Sequence, residues 1–180
     1  MRLMELAVLA TLMFSSAVEA TGELVGGAMT FKGVVVALPC SIAPGSEKVP
    51  VDFGEISTKS LYATGKTTPI AFSIVLEDCN PSVFDSVTVT FDGDRNANMT
   101  DRLAIKSVAP SGASGVGIGL EESDGSPIRL NMPTNATAIT DTVMQLNFQA
   151  FVEGEPQALA NGTLTTGAFT ATANYTLNYQ

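Results

Sequence analysis

Apolar and polar residues alternate along most of this chain, with a period of two. Ile70–Leu76 alternates between Pro69 and the turn-rich run Asp78-Cys79-Asn80-Pro81. Val87–Phe91 alternates and ends at Asp92-Gly93. Val116–Leu120 and Ile128–Met132 flank Asp124-Gly125, a two-residue hairpin signal, and Leu146–Phe151 is closed by Glu153-Gly154-Glu155-Pro156. No window carries a sustained apolar period of 3.6, so the pattern predicts short antiparallel strands punctuated by turns, an all-β sandwich. The most regular alternation lies at the C-terminus. Phe169, Ala171, Ala173, Tyr175, Leu177 and Tyr179 fall on one face, with Thr170, Thr172, Asn174, Thr176 and Asn178 on the other. Such a strand needs a partner on its edge or it invites aggregation.

A weaker copy of the pattern opens the chain after residue 20. Val25, Gly27, Met29 and Phe31 share one face, Gly26, Ala28, Thr30 and Lys32 the other, and Gly33-Val34-Val35-Val36 runs on toward Cys40. A strand-like segment in that place is unusual, because termini are ordinarily ragged and polar.

Composition agrees with one domain. The 180 residues are 45% apolar and 15% charged, with no Trp and no His. The net charge of −9 repels nucleic acid and anionic membrane surfaces. Residues 1–20 read as a secretory signal: Arg2 supplies the positive charge, Leu6–Phe14 the apolar run, and Val18-Glu19-Ala20 a cleavage site, with Glu5 as an awkward neighbour. That run is too short to span a bilayer, and no later segment is apolar enough. Export makes a Cys40–Cys79 disulfide the default over two buried thiols.

The residues offer little for catalysis or metal binding. Without His there is no triad and no histidine metal site. Glu77-Asp78 and Glu121-Glu122 are adjacent pairs, which alternation sends to opposite faces, so a glycosidase site is poorly served. Asp92–Asn98 alternates oxygen-bearing residues as calcium loops do, yet Ala97 and Leu103 stand where that loop needs Gly and Glu. Gly115-Val116-Gly117-Ile118-Gly119 has no helix after it to cradle phosphate, and reads as a strand approached closely by another backbone. No cofactor is expected.

Four pieces together resemble the pilins of the chaperone–usher pathway, the type 1 and P pilus subunits. They are Thr30–Val36 followed by Pro39-Cys40-Ser41-Ile42; Leu76-Glu77-Asp78-Cys79; Gly167 as fourteenth residue from the end; and Tyr179 as penultimate residue, with alternating apolar residues between those two. The resemblance implies an incomplete immunoglobulin-like antiparallel β-sandwich lacking its last strand, with an N-terminal donor-strand extension. Residues 1–20 would be the signal peptide, 21–33 the extension and 34–180 the pilin domain. Val25, Gly27, Met29 and Phe31 would be the donor side chains, with Gly27 at the family's glycine position. Gly167, Phe169, Ala171, Ala173, Tyr175, Leu177 and Tyr179 would form the strand beside the groove, which a chaperone strand contacts first. The implied partners are neighbouring subunits, a periplasmic chaperone and an outer-membrane usher, and the implied location is a fimbrium on the bacterial surface. The resemblance points to a structural subunit that supports adhesion and works by donor-strand exchange; the competing reading is a minor tip or adaptor subunit that binds a carbohydrate receptor.

Overall fold

A computed structural model of the chain describes residues 26–35, 39–110 and 112–180. The chain divides into two units, Met1–Val35 and Val36–Gln180. The first is described over residues 26–35, where the backbone has no regular secondary structure and Met29, Phe31, Val34 and Val35 are exposed.

The second unit holds all the assigned elements. Strand β1 (Ser41–Ile42) is followed by helix α1 (Thr58–Thr64) and by β2 (Ile70–Glu77) and β3 (Ser86–Gly93). Short strands β4 (Leu103–Ala104) and β5 (Lys106–Ser107) precede β6 (Val116–Glu122), β7 (Pro127–Ile128) and β8 (Thr137–Ala138). The long β9 (Met144–Gly154), helix α2 (Pro156–Asn161), β10 (Phe169–Thr170) and β11 (Ala173–Tyr179) complete the chain. All pairings between these strands are antiparallel. One sheet runs β1-β2-β9-β6-β4, with β7 also on β6; another runs β11-β3-β8; β10 pairs with β5.

The two larger sheets face each other, as the alternation requires. Ile74 and Leu76 of β2, Leu146, Phe148, Ala150 and Val152 of β9, and Ile118 and Leu120 of β6 point inward from one sheet. Val87, Val89 and Phe91 of β3 answer from the other. Phe91 reaches across to Phe148 and Phe72, with ring centroids 5.2 and 6.3 Å apart and edge-on geometry in both pairs. Such contacts add about 0.5–1.5 kcal/mol each beyond burial. The Cys40–Cys79 disulfide, with Cα atoms 4.0 Å apart, ties the residue before β1 to the chain beyond β2.

The outer face of β9 explains the glycines of β6. The ring of Phe151 lies where a Cβ of Gly119 would be, with Cε1 at 2.6 Å from that position. Lys66 and Arg102 close over the same ring at 4.5 and 5.3 Å, each held by an acid partner, Glu121 at 2.9 Å and Glu153 at 2.6 Å. This glycine-rich run is therefore a strand, as expected, but at Gly119 it is a side chain and not another backbone that approaches it.

Three expectations change in detail. Both helices escape the periodicity test because, at seven and six residues, neither completes two helical turns; Gly65 and Gly162 end them at positive φ. The strand expected over Ile128–Met132 stops at Ile128, because Asn131 takes a φ of 64° and Met132 N–H turns back to the Arg129 carbonyl. The single C-terminal strand is split in two: β11 pairs with β3 as far as Gly93, and β10 pairs with β5 instead. At the end of the β3–β11 ladder the two backbones run so close that only glycine fits at 93: the Thr172 carbonyl lies 2.7 Å from where a Gly93 Cβ would stand. The first strand expected at Val34–Leu38 is not seen at Val34 and Val35, and residues 36–38 lie outside the described residues.

Candidate functional site

The sandwich is open along one seam. After Ser46 the chain runs extended through Val49, Val51 and Phe53, half-buried and alternating with exposed Pro50, Asp52 and Gly54. Val49, Val51, Phe53 and Ile56 pack against the core, yet among the described residues no strand pairs with this segment. Across from it runs the stretch from Leu164 to Tyr175. Strand β11 is bonded to β3 along one edge, and its other edge meets no strand among the described residues.

Between these walls lies a cleft of about 1540 Å³. Its floor is core: Phe72, Ile74, Phe91, Leu103, Val116, Ile118, Leu120, Ala150 and Val152 all line it. Its charged lining residues, Glu47, Lys48, Asp52 and Glu55, are exposed. Small-molecule pockets usually enclose about 300–1,000 Å³ and carry a few converging polar groups. This cleft is larger and longer, and its floor carries no polar group. What fits is an extended segment that offers main-chain bonds to unpaired edges and apolar side chains to the floor.

Gly167 shapes one wall. Its φ is 149°, and the Gly112 Cα and Ala113 N lie 2.6 and 2.7 Å from where a Cβ would sit. Only glycine lets the chain pass this closely beneath the 112–113 backbone. Tyr175 shapes the other end: its hydroxyl donates to the Ser46 carbonyl at 2.7 Å, bridging one wall to the start of the other. Burial, and to a lesser degree the Glu47 carboxylate, raise the Tyr175 hydroxyl above its ordinary pKa. Burial does the same for Tyr179, with a smaller contribution from Tyr175.

The residues singled out from the sequence fall as follows. Gly167, Phe169, Ala171, Ala173 and Tyr175 line the cleft. Leu177 and Tyr179 lie beyond its lining, half-buried against the core, and the Tyr179 ring sits 6.0 Å from that of Phe84. Of the N-terminal set, Val25 lies outside the described residues, Met29 and Phe31 are 78% and 85% exposed, and a Cβ on Gly27 would meet nothing within 4 Å. The opposite wall was missed. Its signal, Val49, Val51 and Phe53 at period two, is short and carries Pro50, which argues against a paired strand.

The competing chemistries have no geometry to support them. Among the described residues no group of acids or cysteines could hold a metal ion. In the Asp92–Asn98 loop, Asn96 Oδ1 accepts from the amides of Asn98 and Met99, and Asp94 pairs with Lys106 at 2.8 Å. That partner holds the Asp94 carboxyl below its ordinary pKa. Glu121 pairs with Lys66, and Glu122 accepts the Asn135 amide, so neither acid of that pair is free.

Comparison with known proteins agrees with this geometry. A family model described as "Fimbrial protein" matches residues 29–180. The chain is 38% identical over 174 residues to the minor fimbrial subunit PmfF of Proteus mirabilis (strain HI4320), covering 97% of this chain and 96% of that protein. It is 38% identical over 154 residues to the Fimbria A protein of Serratia marcescens, covering 86% and 84%. The crystal structure of the P pilus rod subunit PapA superposes with a TM-score of 0.68 at 26% identity, covering 79% of this chain and 100% of that one.

Proposed function

This chain belongs to the fimbrial protein family, a structural and non-enzymatic subunit exported and assembled into surface fimbriae, and from that premise we propose that it polymerises by donor-strand exchange. The open cleft, with a core-lined floor, the free edge of β11 on one wall and the strandless Val49–Phe53 segment on the other, is the observation that carries this reading. The N-terminal segment of a neighbouring subunit lies in the cleft as the missing strand. Its side chains Val25, Met29 and Phe31 face the floor, with the side-chain-free Gly27 at the fourth inward position, and its backbone bonds the free edge of β11. Residues 1–20 are removed on export, 21–33 form the donor, and 34–180 form the accepting domain.

The exposure of Met29 and Phe31 supports the donor role, since apolar side chains held in water gain by burial elsewhere. Each subunit gives a strand to one neighbour and takes one from another. That contact is heterologous and does not close, so it builds a fibre. Before assembly the cleft exposes a large apolar surface, which a stable monomer rarely leaves uncovered. A periplasmic chaperone strand covers it first, and an outer-membrane usher brings successive subunits together.

The test is a peptide spanning Glu23–Gly33 added to the monomeric chain. Binding raises the thermal midpoint with dose, by about 2.7 kcal/mol of apparent stability at a hundredfold excess over Kd. A midpoint unmoved by millimolar peptide refutes the reading.

A further inference from the structure

We infer that Tyr175 and Ser46 together form an end stop that sets the register of the inserted strand. The inference rests on the strand-insertion reading above.

Register is a real problem for such a cleft. Because side chains alternate, a slip of one residue turns the apolar face outward and is rejected by burial. A slip of two keeps the same face inward. The floor is apolar along its length, from Phe91 and Phe72 to Leu103 and Val116, so polarity does not oppose a two-residue slip. A fixed feature at one end can.

Ser46 is held for that purpose at three points. Its Oγ accepts the Val75 amide of β2 at 2.9 Å, its own N–H donates to the Ala43 carbonyl at 2.9 Å, and its carbonyl accepts the Tyr175 hydroxyl at 2.7 Å. Ser46 is buried, unlike its neighbours Gly45 and Glu47. The phenol of Tyr175 thus spans the seam from β11 to a point fixed on the opposite sheet. Beyond this bridge Leu177 and Tyr179 do not line the cleft, and before it Phe169, Ala171 and Ala173 do. The open length from Gly167 to Tyr175 is roughly nine residues, about 30 Å at ~3.3 Å per residue, enough for four or five inward side chains. An incoming strand meets the bridge and goes no further.

Tyr175 is here a positioning residue, so its test reads register rather than stability. A peptide spanning Glu23–Val35, with a photo-cross-linking group in place of the Phe31 side chain, is bound to the monomeric chain and the cross-linked residue is located by mass spectrometry. The unaltered chain gives one product. Tyr175→Phe, which keeps the ring and loses the bridge, gives a second product displaced by two residues, and Tyr175→Leu does the same if the ring itself contributes. One unchanged product in both variants overturns the inference, since cleft shape alone would then set register. Faster binding in Tyr175→Phe with register unchanged also overturns it, because the bridge would then be a gate. Absence of any cross-link or thermal shift with the unaltered chain defeats the insertion reading, and this inference with it.

Discussion

Truncating Phe31 to alanine separates the donor role from any role in the subunit's own stability. Phe31 is 85% exposed in the free chain, so Phe31→Ala should leave the monomer's unfolding free energy within about 0.5 kcal/mol of the original. In the cleft the same ring leaves water and meets the core-lined floor. Full burial of such a side chain is worth about 1.5–3 kcal/mol, so its loss should weaken donor binding roughly 10- to 140-fold. Lys32 lies on the opposite face of the donor, and Lys32→Ala should change affinity by less than about twofold, as exposed substitutions do. The assay is competition between a labelled Glu23–Val35 peptide and unlabelled peptides bearing each substitution, read by fluorescence polarisation on the monomeric chain. Thermal melts of the two full-length variants provide the control. Equal competition by the Phe31→Ala peptide, or a Lys32→Ala peptide weakened as much as it, would refute the assignment of the donor's inward face.

Other outcomes follow from named contacts. Gly167→Ala should destabilise by about 1–3 kcal/mol and weaken peptide binding as well, because a Cβ there meets the Gly112 and Ala113 backbone and displaces a cleft wall; a chemical-denaturation midpoint equal to the original's contradicts this. Reducing Cys40–Cys79, which closes a separation of 39 residues, should cost about 4 kcal/mol in the chain-entropy account and lower the thermal midpoint, as calorimetry with and without reductant can show. Tyr175 and Tyr179 both bind their protons more tightly when folded, so their contribution is complete below the ordinary tyrosine value near 10 and is lost as pH rises through the higher folded values. Stability should therefore fall in the alkaline limb above about pH 10, and Tyr175→Phe should flatten that fall; an unchanged alkaline slope in the variant would assign the loss to other groups.

Much of this molecule is legible along the chain because a sandwich's strands must alternate. Ile70–Leu76, Val87–Phe91 and Leu146–Ala150 each bury one face more deeply than the other, and period two reports it without knowledge of partners. The cysteines needed only their compartment to be read as a pair. Partner choice is another matter, because main-chain pairing leaves no mark on the side-chain pattern. Phe169–Tyr179 alternates without a break, yet its first part pairs with β5 and its last with β3, a division the side-chain pattern does not carry. The sequence marks a strand in need of a partner. Only the packed structure placed the Val49–Phe53 wall across an open floor from it and closed one end through Tyr175 and Ser46. That cleft arises from two segments more than a hundred residues apart, and their meeting across the core is a long-range juxtaposition that no local pattern reports.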